Sequence, residues 1–292
     1  MTKPLVSVVI PFYNNESTLL DAIKSVFSQT YENWELILLN DGSKDKSLEI
    51  AQKINDSRVK IVTDGVNRGL VYRLNQAPSL INSEYMARMD ADDLMHPERI
   101  SKQMEIFLND STIDLVDSGT YSINEIGEPL GIRGIRPIRY NPKDIIGKAM
   151  LLHASIIGKK SWFEKNKYDP NFLRAEDCEL WIRTYKTSKF KRVQEPLYIV
   201  REGKVNVKNY IQGIKTTQKI LYKYGPNVHT KNKLRLEIIK TYLKIIIYKV
   251  FGLFNIQDYI SQKRNKPLTN QEKENLNSII KKIKGTVLPL YF

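Results

Sequence analysis

Apolar residues recur with two different periods through the first ninety positions. Leu5-Val-Ser-Val-Val-Ile10, closed by Pro11, and Trp34-Glu-Leu-Ile-Leu-Leu39, closed by Asn40-Asp-Gly-Ser43, are short β-branched or aliphatic runs that predict buried strands. Between them, Ser17 to Phe27 is apolar at positions 19, 20, 23, 26 and 27, which is helical spacing. Lys44 to Ile54 and Leu70 to Leu80 predict two further helices, Val59 to Val62 a third strand, and the segment from Tyr85 a fourth. Strand alternating with helix predicts an α/β fold, a parallel sheet covered on both faces.

In such a sheet ligands bind beyond the carboxyl ends of the strands. The polar stretches Pro11 to Asn14, Asn40 to Asp45, Asp64 to Gly69 and Asp90 to Asp93 are therefore expected to meet in one crevice. The last of them is the most informative. An apolar strand ends in Asp90-Ala-Asp-Asp93, three carboxylates within four residues. Like charges that close raise one another's pKa values, so the run points to a divalent cation with positions left for phosphate.

From about Asp114 to Asn141, glycines and prolines predict short strands and loops, a region able to shape an acceptor pocket. Ser155 to Gly158 reads as a strand, Lys160 to Lys165 as a helix, and Glu176-Asp-Cys-Glu-Leu-Trp-Ile-Arg183 as a helix with an acidic start. The long segment Asn232 to Ile256 is helical in pattern. On projection Lys233, Glu237, Lys240 and Lys244 form one narrow stripe, and long aliphatics occupy most of the remainder. It carries too many charges to span a bilayer of about 20 apolar residues, and an in-plane interfacial helix fits better. Glu272 to Lys284 is a second candidate of the same kind.

Charge sharpens this division. Residues 1–200 hold 27 basic and 27 acidic side chains, residues 201–292 hold 19 and 5, so the whole net charge of +14 lies in the last third. A catalytic domain over 1–205 and a basic helical region over 206–292, suited to an anionic membrane surface, are expected. The single cysteine, Cys178, excludes an internal disulfide, and no export signal precedes the first strand, so a cytoplasmic, membrane-peripheral protein is expected.

Val6-Ser-Val-Val-Ile-Pro-Phe-Tyr-Asn14, Asn40-Asp-Gly-Ser-Lys-Asp45, Asn67-Arg-Gly-Leu70, Ala87-Arg-Met-Asp-Ala-Asp-Asp93 and Ala175-Glu-Asp-Cys-Glu-Leu-Trp-Ile-Arg183 together resemble family 2 glycosyltransferases, in order and in spacing. The resemblance covers roughly residues 4–200. It implies a GT-A-type three-layer α/β/α sandwich with a mostly parallel central sheet, and an inverting transfer from a nucleotide-sugar. By that resemblance Pro11, Tyr13, Glu16 and Asp41 would hold the nucleoside, with Asp41 accepting from a uracil N–H. Asp92 would bind Mg²⁺ or Mn²⁺, Asp90 would face the ribose or a metal-bound water, and Asp177 would be the catalytic base. Glu176, His153 and Trp181 would contact acceptor or diphosphate, Trp181 by stacking on a sugar if it does not simply anchor its helix.

Arg73-Leu74-Asn75 places an arginine one position ahead of the Arg-Asn pair that some members carry, which assigns Arg73 no donor contact. The partners implied are a UDP-sugar and a lipid-linked glycan of a bacterial surface polysaccharide such as O-antigen or capsule, with no nucleic acid. Two rival readings exist: a nucleic-acid-binding protein using the basic tail, and a non-catalytic sugar-nucleotide binder. The tail intersperses its cations with long aliphatics, unlike a nucleic-acid surface, and neither the carboxylate run nor the Glu176-Asp177 pair is damaged. No Gly-X-Gly-X-X-Gly follows the first strand, which argues against a dinucleotide fold.

Overall fold

The computed structural model describes residues 3–204, 206–254 and 264–291. Its first half has the expected alternation: β1 (Val6–Phe12), α1 (Leu19–Phe27), β2 (Trp34–Asn40), α2 (Ser47–Gln52), β3 (Val59–Thr63), α3 (Leu70–Gln76) and β4 (Tyr85–Arg88). β1 pairs in parallel with β2 and β4, and β2 with β3. β1 is buried along its whole length, which is why its sequence is a continuous apolar run without alternation.

Beyond β4 the chain builds β5 (Leu94–Met95), α4 (Arg99–Asn109), the hairpin β6 (Leu115–Ile123) and β7 (Pro129–Arg133), α5 (Pro142–Ile145), β8 (Ile157–Lys159), α6 (Lys160–Lys165), α7 (Glu176–Thr184) and β9 (Phe190–Arg201). The sheet runs β3-β2-β1-β4-β8-β6-β9-β5, with β7 paired to β6. Parallel ladders carry most of its register, including the long β6–β9 pairing, and antiparallel β8 joins the two halves. One apolar layer packs α1 and α4 on one face. A second packs α3, α6 and α7 on the other. This is the expected three-layer arrangement.

The last part holds α8 (Val207–Tyr224), α9 (Lys231–Leu253) and α10 (Asn270–Lys284). The expected helix from Asn232 is α9, and Asn255 and Ile256 at its expected end lie outside the described residues. α8 lays Ile220 and Leu221 on the second apolar layer. α9 packs on α8 through Leu234, Ile238 and Thr241, with Tyr248 stacked on Tyr210 at 3.7 Å.

Its outer side differs from a simple surface helix. Ile239, Tyr242, Leu243, Ile246, Val250 and Leu253 are all exposed, Leu253 to 80%. The apolar arc read from the sequence is thus split, one part spent on α8 and the other facing solvent.

α10 behaves differently. Leu276, Ile280 and Ile283 are buried against Leu94, Ile123, Ile132 and Ile199, and Leu290 bridges back to Ile54 beside β3. A capping box at Thr269 and Glu272 fixes the start of α10. Its apolar stripe belongs to the catalytic sheet, so α9 is the helix that offers an apolar face to the outside.

Candidate active site

Main-chain and side-chain bonds stitch the loops after the first three strands into one floor. Asn14, in the left-handed region at φ 55°, receives the Lys44 amide at 2.8 Å on its side chain and donates its own amide to Ser43. Glu16 accepts from the Lys46 amide, and Asp45 from the Glu16 amide. Gly42 sits at φ 74°, where a Cβ would lie 2.8 Å from the Asn67 nitrogen, so the second and third loops approach as closely as they do because no side chain stands between them.

Asp41 closes this floor. Its carboxylate accepts from the Arg68 amide, the Gly69 amide and Arg73 Nε at 2.8–2.9 Å. Two carboxylate oxygens offer about four lone-pair sites, so one is left unused by these three donors. Arg73, to which the sequence assigned no donor contact, is fully buried and also binds Asp64 at 2.5 Å. Arg73 and then Arg68 hold the Asp64 carboxyl well below the usual carboxylate range. Arg73 is a clamp on the third loop. Pro11 is buried near the end of β1, while Tyr13 and Glu16 stand exposed above it.

The three carboxylates after β4 have three different environments. Asp90 takes both guanidinium nitrogens of Arg88, the closer at 2.7 Å. Asp93 is buried, accepts from the Arg201 amide at 2.8 Å, and lies against Tyr198, whose hydroxyl accepts from the Asp90 amide. Asp90 is half-buried, and Asp92 is the most exposed of the three. Enough protein surrounds it, however, for desolvation and then Asp90 to raise its pKa, and Asp93 is raised further by burial, Asp92 and Asp90.

An acidic pair whose members resist ionisation, with one carboxylate open to solvent, fits a hard cation whose remaining ligands are oxygens of another molecule. Among the described residues no three acidic, histidine or cysteine side chains enclose a metal by themselves.

Arg88 joins this cluster to the other side of the crevice. Burial would depress its guanidinium, but Asp90, Tyr168, Tyr198 and Glu176 more than offset that. The same cation acts on Asp177, Glu176 and His153. α7 starts with three acids. Glu179 is engaged by Arg183 and Tyr224 and is fully buried. Glu176 is 8% exposed and Asp177 is more open. Desolvation raises the pKa of both, against Cys178 and Arg88 for Asp177 and reinforced by Asp177 for Glu176. An accessible carboxylate with a raised pKa is the form a general base takes.

His153 faces Tyr168, with Nε2 2.8 Å from the phenol oxygen, and burial followed by Arg88 keeps it neutral. Trp181 does not stack on a sugar. It is 0% exposed, lies 6.3 Å from Trp162 and 6.1 Å from His153, and is the aromatic centre of the second apolar layer.

The family model "Glycosyl transferase family 2" matches residues 7–166, more than half of the chain. An uncharacterized glycosyltransferase of Methanocaldococcus jannaschii is 32% identical over 242 residues, covering 80% of this chain and 82% of that protein. The chain belongs to glycosyltransferase family 2. The glycosyltransferase also shares its fold with S. aureus TarS 1-349 in complex with UDP-GlcNAc, at TM-score 0.60, 17% identity and coverage of 88% of this chain and 78% of that one. The mannosyltransferase PcManGT of Pyrobaculum calidifontis, in complex with GDP-Man and Mn2+, aligns at TM-score 0.55 and 12% identity over 97% of this chain and 86% of its own.

Two contributors to this site were not singled out from the sequence. Arg88 was readable, because residues i and i+2 on a strand point to one face and Arg88 stands two before Asp90. Tyr198 was not, because the apolar run Leu197-Tyr-Ile-Val200 after Pro196 reads as a strand but nothing in it shows that the phenol reaches Asp90.

Proposed function

We propose that this glycosyltransferase moves a hexose or N-acetylhexosamine from a UDP-sugar to a hydroxyl of a glycan acceptor, with inversion at the anomeric carbon. The observation that carries it is the pair of carboxylate clusters, Asp90 to Asp93 and Glu176-Asp177, that share the buried Arg88 between them. The free acceptor position on Asp41 supports uracil, and the UDP-GlcNAc bound to TarS agrees with it.

Asp92, with Asp90 beside it, would hold Mn²⁺ or Mg²⁺, a reading supported by the Mn2+ in the mannosyltransferase complex. When bound, such a cation neutralises charge on a leaving diphosphate. Arg88 keeps Asp90 in place and limits repulsion within the run. Asp177 accepts the proton of the acceptor hydroxyl while its oxygen forms the new bond to the anomeric carbon, and the old carbon–oxygen bond breaks with its electrons leaving on UDP. One displacement inverts the centre, so an α-linked donor gives a β-glycoside.

Titration of the protein with UDP, GDP and a panel of their sugars, with Mn²⁺ and then with chelator, tests this. Metal-dependent UDP binding with one preferred sugar is expected. Preference for GDP would move the donor class, and no nucleotide binding by folded protein would overturn the reading.

The acceptor is read as lipid-linked, for a surface polysaccharide, and the exposed apolar face of α9 beside its lysines supports peripheral membrane contact. No helix among the described residues is long and apolar enough to cross a membrane. Because α10 is part of the core, removal of everything after α8 would confuse attachment with unfolding. Ile246→Glu with Val250→Glu is the cleaner test: co-sedimentation with anionic liposomes should fall sharply while the melting temperature holds, and undiminished sedimentation would remove α9 from the interface.

A further inference from the structure

Two seams run along α9, on opposite sides and with the same repeat. Leu234, Ile238, Thr241, Tyr248 and Gly252 are spaced by three, four or seven residues and turn inward. Leu234 meets Gly225, Thr241 accepts from the Gln218 side-chain amide, Tyr248 stacks on Tyr210, and Gly252 lies against Val207. These pairs run in opposite directions along the two helices, so α8 and α9 form an antiparallel hairpin.

The outer seam is Leu236, Ile239, Leu243, Ile246, Val250 and Leu253, alternately three and four residues apart. All six are between 42% and 80% exposed. Their alternation is the heptad repeat of a coiled coil, with Leu236, Leu243 and Val250 at a and the other three at d. It persists for about 26 Å at 1.5 Å per residue. A bilayer asks only for an apolar arc, whereas a repeat kept through six layers matches a facing helix whose side chains have the same spacing.

We infer that two copies of the chain pair through this seam in solution, their α9 helices antiparallel about a two-fold axis between Leu243 and Ile246. This goes beyond the transferase reading and does not rest on it. The seam has the same spacing read from either end, so an antiparallel copy meets it in full register: Leu243 opposite Ile246, Ile239 opposite Val250, and Leu236 opposite Leu253. Charge decides the direction. Arg235, Tyr242 and Lys249 occupy g positions, and Lys240, Ile247 and Phe254 occupy e positions. Parallel helices bring each g beside the next e of the partner, which would set Arg235 against Lys240 twice. Antiparallel helices bring g beside g and e beside e. Lys249 then meets Tyr242, a cation against an aromatic ring, and Lys240 meets Ile247, along which its aliphatic stem can lie. Leucine at a with isoleucine at d also disfavours a parallel pair. The α8 seam lies on the far side of α9 and is left intact, and because each copy uses the same patch the assembly closes at two.

Sedimentation equilibrium of the full-length protein without lipid tests the pairing. A concentration-dependent monomer–dimer equilibrium is expected. Leu243→Glu with Ile246→Glu buries carboxylates in the two central layers and should weaken it by a factor of about a hundred or more. The melting temperature of the dilute variant should hold, because both side chains face solvent in the monomer. Ile239→Cys mixed with Val250→Cys should form an intermolecular disulfide and Ile239→Cys alone should not, with the wild type and its Cys178 as control. A dimer that persists in the double glutamate variant, or cross-linking by Ile239→Cys alone, overturns the inference. The bilayer contact proposed above engages the same face, so anionic liposomes should lower the cross-linking yield. Protein that is monomeric at every concentration without lipid, yet binds liposomes, gives the face to the bilayer alone and overturns the pairing.

Discussion

Asp92→Ala is expected to abolish turnover and the metal dependence of UDP binding while leaving the fold as stable as the wild type, or slightly more so. The reason lies in the sign of its pKa shift. Desolvation and Asp90 raise the Asp92 pKa in the folded protein, so the proton is held more tightly folded than unfolded, and the contribution to stability is lost as pH rises through the folded value. At neutral pH the ionised side chain is therefore a small liability, offset only when a cation arrives. Removing it relieves repulsion with Asp90 and Asp93 and removes the ligand at the same time.

Paired measurements check this. In the wild type, Mn²⁺ with UDP should raise the melting temperature, and the increment should shrink as pH falls and protons compete for the raised carboxylates. In Asp92→Ala the baseline should hold and the increment should vanish. A variant that keeps turnover, or that still responds to Mn²⁺, would place the cation elsewhere.

Asp177→Asn should reduce kcat by a factor of about 10²–10⁴, the usual contribution of a positioned general base, with UDP affinity nearly unchanged. The isosteric amide keeps the start of α7 in place and removes the proton acceptor. The pH profile gives the more discriminating readout. Burial raises the Asp177 pKa against the pull of Cys178 and Arg88, and a base works only when ionised. The wild-type rate should thus fall toward acid with a limb displaced above the ordinary aspartate value of 3.8, and the residual rate of the variant should lack that limb. Unaltered turnover would shift the role to Glu176, whose pKa is raised by burial and by Asp177 itself.

Much of this site could be read from residue order because it sits at strand ends, where a parallel sheet forces distant segments together. β1, β2 and β4 are largely buried and announce themselves as mostly apolar runs, so the loops holding Asp41 and Asp90 to Asp93 are placed together by the fold rule. Side-chain pairings were harder to foresee. Asp41 reads as a nucleotide contact, yet most of its acceptor capacity goes to the loop at Arg68 and Gly69 and to Arg73, a clamp created by three-dimensional closeness. Trp181 could have faced either way, and helical phase on so short a helix as α7 does not decide it. The tail misled most. α9 and α10 have similar basic-aliphatic composition, but α10 finds an apolar sheet face waiting at Leu94, Ile123 and Ile199, and no property of its own segment reveals that acceptor surface.

The return of α10 to the sheet has a consequence for how the protein is made. β9 ends at Arg201, so a ribosome that has released residues up to that point has supplied every strand of the described residues, yet the patch around Leu94, Ile123 and Ile199 is still uncovered. It stays so until Leu276, Ile280 and Ile283 have also emerged, after the whole α8–α9 excursion has been synthesised. At about 5–20 residues per second, this leaves the nascent chain with a sticky face for several seconds. That interval is where a chaperone would act on it.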